Sequence, residues 1–275
     1  MKYKLLQKKN IFILDESLGG KIFEGNKFRK SKYLLNSSIK KGVITMGSKY
    51  SNHSLATAHY CKLLKKKFVY LLVNKQKVSY KKYNNLRIID NFDAEIIQIK
   101  TSDAKRKINF YKKKYKDYMW IPGGGSNKQA LNQYFKLAKK IFSENKKKLS
   151  KIKVILLPWG TGTTAIGFLK AIEFLNLKIN IIAVSVSRTK KNCVSEISKI
   201  FSLKGKKLIK IIDDYAGKYG KKLKNDRHLS KLFLKQYGVK IDPIYNSRSI
   251  RYFYKKKFDN CLIINTGGLA NNFND

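Results

Sequence analysis

The chain has 275 residues, 43% of them hydrophobic, and a formal net charge of +44 from 61 Lys and Arg against 17 Asp and Glu. The apolar share suffices for a sizeable core, in one large domain or two smaller ones. The charge does not define a nucleic-acid binder. Lysines recur in nearly every exposed-looking segment (Lys8–Lys9, Lys65–Lys67, Lys112–Lys114, Lys146–Lys148, Lys255–Lys257) instead of along one stripe, and there is no arginine-rich tract.

Short apolar runs rich in β-branched and aromatic residues predict strands at Ile11–Leu14, Val43–Met46, Phe68–Val73, Glu95–Ile99 and Tyr118–Ile121, then at Val154–Leu157, Ile179–Val186, Leu208–Ile212 and Leu262–Asn265. Helical spacing predicts helices at Phe28–Ile39, Asn52–Leu64, Asn127–Phe142, Thr163–Leu175, Val194–Leu203, His228–Tyr237 and Ser247–Tyr254. Alternation of the two predicts an α/β chain with mostly parallel, twisted open sheets covered by helices on both faces. We expect a small domain over residues 40–126 and a larger, discontinuous one over 1–39 and 127–275, with a cleft where strand ends meet.

Composition bounds the environment. Cys61, Cys193 and Cys261 lack metal-ligand or CxxC spacing, and Cys61 and Cys261 read as buried small hydrophobes, which fits a reducing compartment. The basic start holds only a short apolar run, too short for a signal-peptide core, and no run approaches the ~18 apolar residues of a membrane span. The expected location is the cytoplasm, with no membrane partner. The abundance of Lys, Asn, Ile, Tyr and Phe matches AT-rich codons, so the charge reads as a drifted, solvated surface. It should give weak, salt-sensitive adhesion to polyanions and no specific nucleic-acid binding.

Several turns carry chemistry. Gly160-Thr161-Gly162-Thr163-Thr164 follows a strand and opens a helix, so backbone N–H groups, the positive helix end and threonine hydroxyls suit a phosphate. It is no Walker A loop. With Ala165 it is formally GxGxxA, but the following strand ends without the acidic residue a dinucleotide site wants, and a plain packing turn remains open. Gly123-Gly124-Gly125-Ser126-Asn127 repeats that grammar, with Ser or Asn as a helix cap. Ser51-Asn52-His53 also precedes a helix. Ser51 suits a cap, and the Asn52 amide suits a hydroxyl on a bound ring. Asp213-Asp214 has no further ligand at useful spacing, so no metal site is expected. Tyr215 and Tyr219 frame a glycine turn, and Tyr245 sits at a loop-to-helix junction. Lys27 stands out among the lysines because it follows the Gly25-Asn26 turn and opens a helical pattern.

In order along the chain, Gly25-Asn-Lys-Phe-Arg-Lys, Ser51-Asn-His, Gly124-Gly-Ser-Asn, Gly160-Thr-Gly-Thr-Thr, Asp213-Asp-Tyr, Asp242-Pro-Ile-Tyr and Thr266-Gly-Gly-Leu resemble the pyridoxal-phosphate family that contains 1-aminocyclopropane-1-carboxylate deaminase and D-cysteine desulfhydrase. The resemblance runs from about Ile11 to Phe273. It implies the tryptophan-synthase-β-like fold (fold type II), with pyridoxal 5′-phosphate (PLP) in an interdomain cleft, and a homodimer. It also implies roles. Lys27 would carry the cofactor as a Schiff base, and Asn52 would bond its ring hydroxyl. Gly160, Thr161, Gly162, Thr163 and Thr164 would cradle its phosphate. Thr266 would face the pyridine nitrogen, where a hydroxyl, unlike a carboxylate, is not expected to keep that nitrogen protonated. Ser51 would lie near the substrate carboxylate, and Tyr215 and Tyr245 near the reacting carbons.

The resemblance also bears on substrate. Ring-opening deaminases of the family typically carry Glu after the Asp-Pro-x-Tyr tyrosine and Leu at the Thr266 position, where this chain has Asn246 and Thr266. The expected reaction is therefore PLP-dependent β-elimination of a small amino acid, D-cysteine first, to pyruvate, sulfide and ammonia. The alternative is deamination of 1-aminocyclopropane-1-carboxylate. A reading of another class is a catalytically degenerate basic binding protein on the same scaffold. Thr163 stands where the family has glycine, so its Cβ is expected near the phosphate. The leading segment is shorter than is usual in the family, and Gly47-Ser48-Lys49-Tyr50 replaces a run of small residues.

Overall fold

A computed structural model describes residues 2–39, 41–200, 208–217 and 223–270. Tyr219, Phe273 and the last three residues of the helix expected at Val194–Leu203 lie outside the described residues. In chain order the elements are β1 (Leu5–Lys8), β2 (Ile11–Asp15), α1 (Asn26–Ser31), β3 (Gly42–Gly47), α2 (Asn52–Leu63), β4 (Lys67–Asn74), α3 (Asn84–Asp90), β5 (Glu95–Lys100), α4 (Ala104–Lys114) and β6 (Tyr118–Ile121). They continue with α5 (Lys128–Glu144), α6 (Lys146–Leu149), β7 (Val154–Trp159), α7 (Thr163–Phe174), β8 (Asn180–Ser185), α8 (Lys190–Ile200), β9 (Ile209–Ile212), α9 (Asp226–Tyr237), α10 (Asn246–Lys256) and β10 (Cys261–Asn265).

The chain forms two compact units, Met1–Asn26 with Leu131–Leu269, and Lys27–Ala130 with Ala270–Asp275. The first contains a six-stranded sheet in the order β1-β2-β10-β7-β8-β9, parallel except for the β1–β2 pair. Its inner strands β2, β10, β7 and β8 are largely buried on both faces, and the period-2 alternation splits them cleanly. Phe12, Leu14, Ile155, Leu157, Ile181, Ala183, Leu262 and Ile264 pack with α5 and α7 residues such as Tyr134, Leu137, Ile166 and Phe168. Ile11, Ile13, Leu156, Val184, Cys261 and Ile263 pack on the other side with Phe233 of α9 and Ile250 and Phe253 of α10. The thiols of Cys61 and Cys261 are buried, and burial pushes both up to about 12.

The second unit contains a four-stranded, wholly parallel sheet, β5-β4-β3-β6. One face carries Ile44, Val69, Leu71 and Ile99 beneath Ile108 and Tyr111 of α4. Against the sheet also lies α2, whose Leu55, Ala58 and Cys61 are buried, with α3 beside it.

Every expected strand run falls on an observed strand. The differences lie elsewhere. β1 was not expected, because its half-exposed Leu-Leu-Gln-Lys carries little apolar pattern and is joined to β2 through a turn in which Lys9 has φ 51°. The helix expected at Phe28–Ile39 stops at Ser31 and continues as a 3-10 turn over Lys32–Asn36, with the Ser37 hydroxyl bonding back to the Tyr33 carbonyl at 2.8 Å. α3 and α4 were not expected. In α4 the lysines dominate the pattern, and its apolar side chains reach the sheet only in part.

Buried charge ties α9 to α10. Asp226 and Arg248 are fully buried and paired at 2.7 Å, and Arg251 reaches the other Asp226 oxygen at 2.9 Å. Removing one partner of such a pair leaves a buried charge uncompensated. Asp226→Ala is expected to lower the unfolding free energy by about 3–5 kcal/mol, read from the midpoint of urea denaturation.

Candidate active site

In a parallel sheet, loops leaving the carboxyl ends of the strands gather at one edge, and ligand sites form there. In the first unit, β10 and β7 are neighbours in the sheet. The loop after β7 is Gly160–Thr164 and the turn after β10 begins at Thr266, so both lie at the same edge. A second route leads to that edge through Gly25 and Asn26. Gly25 and Gly267 form an isolated antiparallel bridge, and the Asn26 N–H donates to the Thr266 carbonyl at 2.9 Å. The bridge needs glycine on both sides. Gly25 has φ +131° and a Cβ there would stand 2.9 Å from the Thr266 carbonyl oxygen, while a Cβ on Gly267, at φ +72°, would stand 2.7 Å from Gly25 Cα. The Asn26 amide then reaches the Thr164 hydroxyl, 3.4 Å away. Asn26 thus joins the Thr266 turn to the Gly160–Thr164 loop, and the next residue in the chain is Lys27.

That loop suits an anion. Gly162 is left-handed (φ 78°) and precedes the 12-residue α7, whose first turn has no side-chain cap and no acidic residue. A Cβ at Gly160 would meet nothing within 4 Å, whereas one at Gly162 would enter the Trp159 ring at 2.4 Å. The indole Nε1 of Trp159 is buried with no hydrogen-bond partner among the described residues. Thr163 Oγ1 lies 3.3 Å from Thr161 Oγ1, so the two hydroxyls of the loop pair with each other. An uncapped helix start, open space at Gly160 and hydroxyl donors without a carboxylate fit a phosphate ester.

Behind Thr266 stands a closed polar network. The Asp242 carboxylate accepts from the N–H groups of Ile244 (3.0 Å), Tyr245 (2.7 Å) and Asn246 (3.0 Å), and so caps the start of α10. Asn246 Nδ2 donates to Asp242 Oδ1 at 2.6 Å and to the Gly267 carbonyl at 3.0 Å. Asn246 Oδ1 accepts from the Thr266 N–H at 2.9 Å and from its hydroxyl at 3.1 Å. Burial pushes the Asp242 carboxyl up to about 6, against the pull of its N–H donors. Tyr245 enters this network through its backbone, and Tyr215, after β9, packs edge-on to Tyr252 of α10 at 6.3 Å. Asp213 serves as a cap, accepting from the Lys190 N–H at the start of α8.

In the second unit, Lys27 lies in the first turn of α1, and its Nζ donates to the Gly124 carbonyl at 3.0 Å. Gly124 is left-handed (φ 77°) in the turn after β6. Ser51 caps α2, accepting from the Ser54 N–H at 3.1 Å and from its hydroxyl at 3.0 Å. Asn52 is buried, and its Oδ1 accepts from Asn85 Nδ2 at 3.0 Å, an orientation that makes the Asn52 amide nitrogen its donor end. His53 is buried with Nε2 3.1 Å from the Thr45 hydroxyl, which itself donates to the Ile121 carbonyl at 2.7 Å. Thr45 therefore accepts from His53, so Nε2 carries the proton. Burial first, then the Lys27 and Lys30 amines, holds the imidazole well below its ordinary range. His53 is a neutral structural group.

Sequence reasoning picked out Lys27, Ser51, Asn52, the Gly160–Thr164 loop and Thr266. It missed Asn26 as a link, Asn85 as the support of Asn52, and the Asp242–Asn246–Thr266 network. Asn26, Asp242 and Asn246 lay within or beside the motifs that were noticed, but their partners are distant in the chain. Asn85 carried no signal at all.

Comparison with known proteins adds a family. A family model described as pyridoxal-phosphate dependent enzyme matches residues 2–221. A protein of Thermotoga maritima, named provisionally as 1-aminocyclopropane-1-carboxylate deaminase, is 28% identical over 94% of this chain and 89% of its own length. A Pyrococcus abyssi protein with the same provisional name is 27% identical over 96% of this chain and 86% of its own. Among solved structures, an ACC deaminase homologue superposes with a TM-score of 0.78 at 22% identity, over 96% of this chain and 86% of that one. A hydrogen sulfide-producing enzyme from Fusobacterium nucleatum does so with 0.67 at 14% identity, over 97% and 95%. At these identities the structures establish the fold.

Two outcomes follow from the geometry. Gly25→Ala places a Cβ against the Thr266 carbonyl at positive φ, and is expected to cost about 2–4 kcal/mol of stability by urea melts. His53 has a folded-state pKa lowered from 6.5, so its stabilising contribution is present above that pH and is lost as the pH falls. The stability advantage of the native chain over His53→Gln is expected to shrink between about pH 7.5 and about pH 5.5. Asp242 titrates nearby with the opposite sign but is common to both proteins, so it cancels from the difference.

Proposed function

Since the chain belongs to the family of pyridoxal-phosphate-dependent enzymes, with PLP as its cofactor, we propose that it is a β-eliminating lyase acting on D-cysteine. The overall reaction is D-cysteine plus water to pyruvate, hydrogen sulfide and ammonia. PLP, when bound, supplies the electron sink that makes the substrate Cα proton acidic and lets a β-substituent leave. The chain supplies position, proton transfer and electrostatics.

In this reading Lys27 Nζ is the amine that holds the cofactor and, once released, takes the proton from the substrate Cα. Its neighbour Lys30 is buried in the same helix. Gly160–Thr164 would hold the phosphate through helix N–H groups and hydroxyls, and the Asn52 amide would donate to the ring oxygen. Thr266 would face the ring nitrogen. Ser51, at the positive end of α2, accepts two hydrogen bonds and keeps its own proton to donate to the substrate carboxylate. Tyr215 and Tyr245 serve the reacting carbons. We place the working enzyme in the cytoplasm, in keeping with its cysteine usage, and as a homodimer, in keeping with the family resemblance.

The observation that carries the substrate preference is the Asn246–Thr266 hydrogen bond. It is a neutral, mutually satisfied pair at the two positions where ring-opening relatives resemble one another in having a glutamate and a leucine. The second reading, deamination of 1-aminocyclopropane-1-carboxylate, is favoured by the names of the relatives at 27–28% identity.

Protein reconstituted with PLP is expected to show a visible absorption band that Lys27→Ala abolishes, and Lys27→Ala is expected to lower turnover by about a hundred- to ten-thousandfold. D-cysteine should release pyruvate and sulfide in equal amounts. Release of a four-carbon oxo acid from 1-aminocyclopropane-1-carboxylate, with D-cysteine inert, selects the second reading. A chain that takes up no PLP and binds polyanions in a salt-labile manner is neither enzyme.

A further inference from the structure

The Thr266 hydroxyl has one proton, and the structure shows where it goes. Asn246 is 1% exposed and uses all four hydrogen-bonding positions of its amide. The backbone identifies its two ends. The Thr266 N–H must face an oxygen, and the Gly267 carbonyl and Asp242 Oδ1 must face the nitrogen. Turning the amide over would set N–H against N–H and oxygen against two oxygens. The Asn246 oxygen is therefore fixed as an acceptor, and the Thr266 hydroxyl donates to it. What Thr266 Oγ1 offers to anything else is lone pairs.

We infer that Asn246, held by Asp242, is a positioning residue that turns Thr266 into a hydrogen-bond acceptor, so that a ring nitrogen placed against Thr266 is held in its protonated form. This rests on the proposed role of Thr266 beside the cofactor ring. It reverses the expectation drawn from residue type alone, that a hydroxyl at this position leaves the nitrogen unprotonated. A hydroxyl with an uncommitted proton donates to a neutral pyridine. A hydroxyl whose proton is already given to an amide oxygen accepts from a pyridinium, and that bond is charge-assisted. The ionised Asp242, one hydrogen bond further back, adds to the preference. A hydrogen bond to a charged donor is expected to move the protonation equilibrium by about ten- to a hundredfold. A protonated ring is the stronger electron sink, so a neutral Asn–Thr pair can do part of the work of a carboxylate at that position.

The test is ¹⁵N NMR of the holoenzyme loaded with PLP labelled at the ring nitrogen. Absorption in the visible shows independently that the cofactor is bound. The expected signal for the native chain lies at the pyridinium end of the range. Asn246→Ala frees the hydroxyl to donate, and should move the signal towards unprotonated pyridine while the visible band remains. Thr266→Val removes the acceptor without opening space, and should do the same if the Asn246 variant fails to fold. A native holoenzyme with its band present and an unprotonated nitrogen overturns this inference and leaves the proposed lyase standing. So does a pyridinium signal that folded variants leave unchanged. Absence of the band overturns the role given to Thr266 together with the inference built on it.

Discussion

Two glycines that touch through their backbones decide where the segment that carries Lys27 begins. Gly25 and Gly267 face each other across one antiparallel bridge, each at a positive φ, and a Cβ on either would collide with the other strand's backbone. The contact lets the Asn26 N–H reach the Thr266 carbonyl and the Asn26 amide reach Thr164. One residue thereby ties the turn after β10 to the loop after β7 and hands the chain on to Lys27. Helical propensity could not place Lys27 this way, since a short helix such as α1 gains little stability on its own.

The supporting polar groups follow one logic. Three of the side chains we assign to the cofactor or substrate are held by partners that limit which hydrogen bonds they can make. Asn52 is oriented by Asn85, Ser51 by Ser54, and Thr266 by Asn246, which is in turn held by Asp242. In a buried setting a misoriented amide or hydroxyl costs its full desolvation penalty, so these arrangements are stiff. Stiff, preoriented donors and acceptors let a protein direct a cofactor's chemistry without supplying the chemistry itself.

Much of the fold was legible from the chain. Parallel strands buried on both faces read as continuous apolar runs, and Val154–Leu157 and Leu262–Asn265 could hardly be anything else. The Gly160–Thr164 loop was legible because glycines and hydroxyls between a strand and a helix have a physical meaning. β1 was not legible, because a short, half-exposed edge strand needs little apolar content. Nor was α4, whose lysines mask the few side chains that anchor it to the sheet. The network behind Thr266 was invisible for a different reason. Asn246 and Thr266 are 20 residues apart, and neither residue type announces a partner.

Residue order alone was enough for an α/β chain of parallel sheets and for a loop of glycines and hydroxyls set between a strand and a helix, since periodicity and turn chemistry are local properties. Only the folded chain decided the direction of hydrogen bonds. Whether the Thr266 hydroxyl gives or receives a proton depends on an amide fixed by Asp242 and Gly267. A hydroxyl can do either, so its residue type is silent, and the choice is made by neighbours that tertiary packing brings to it.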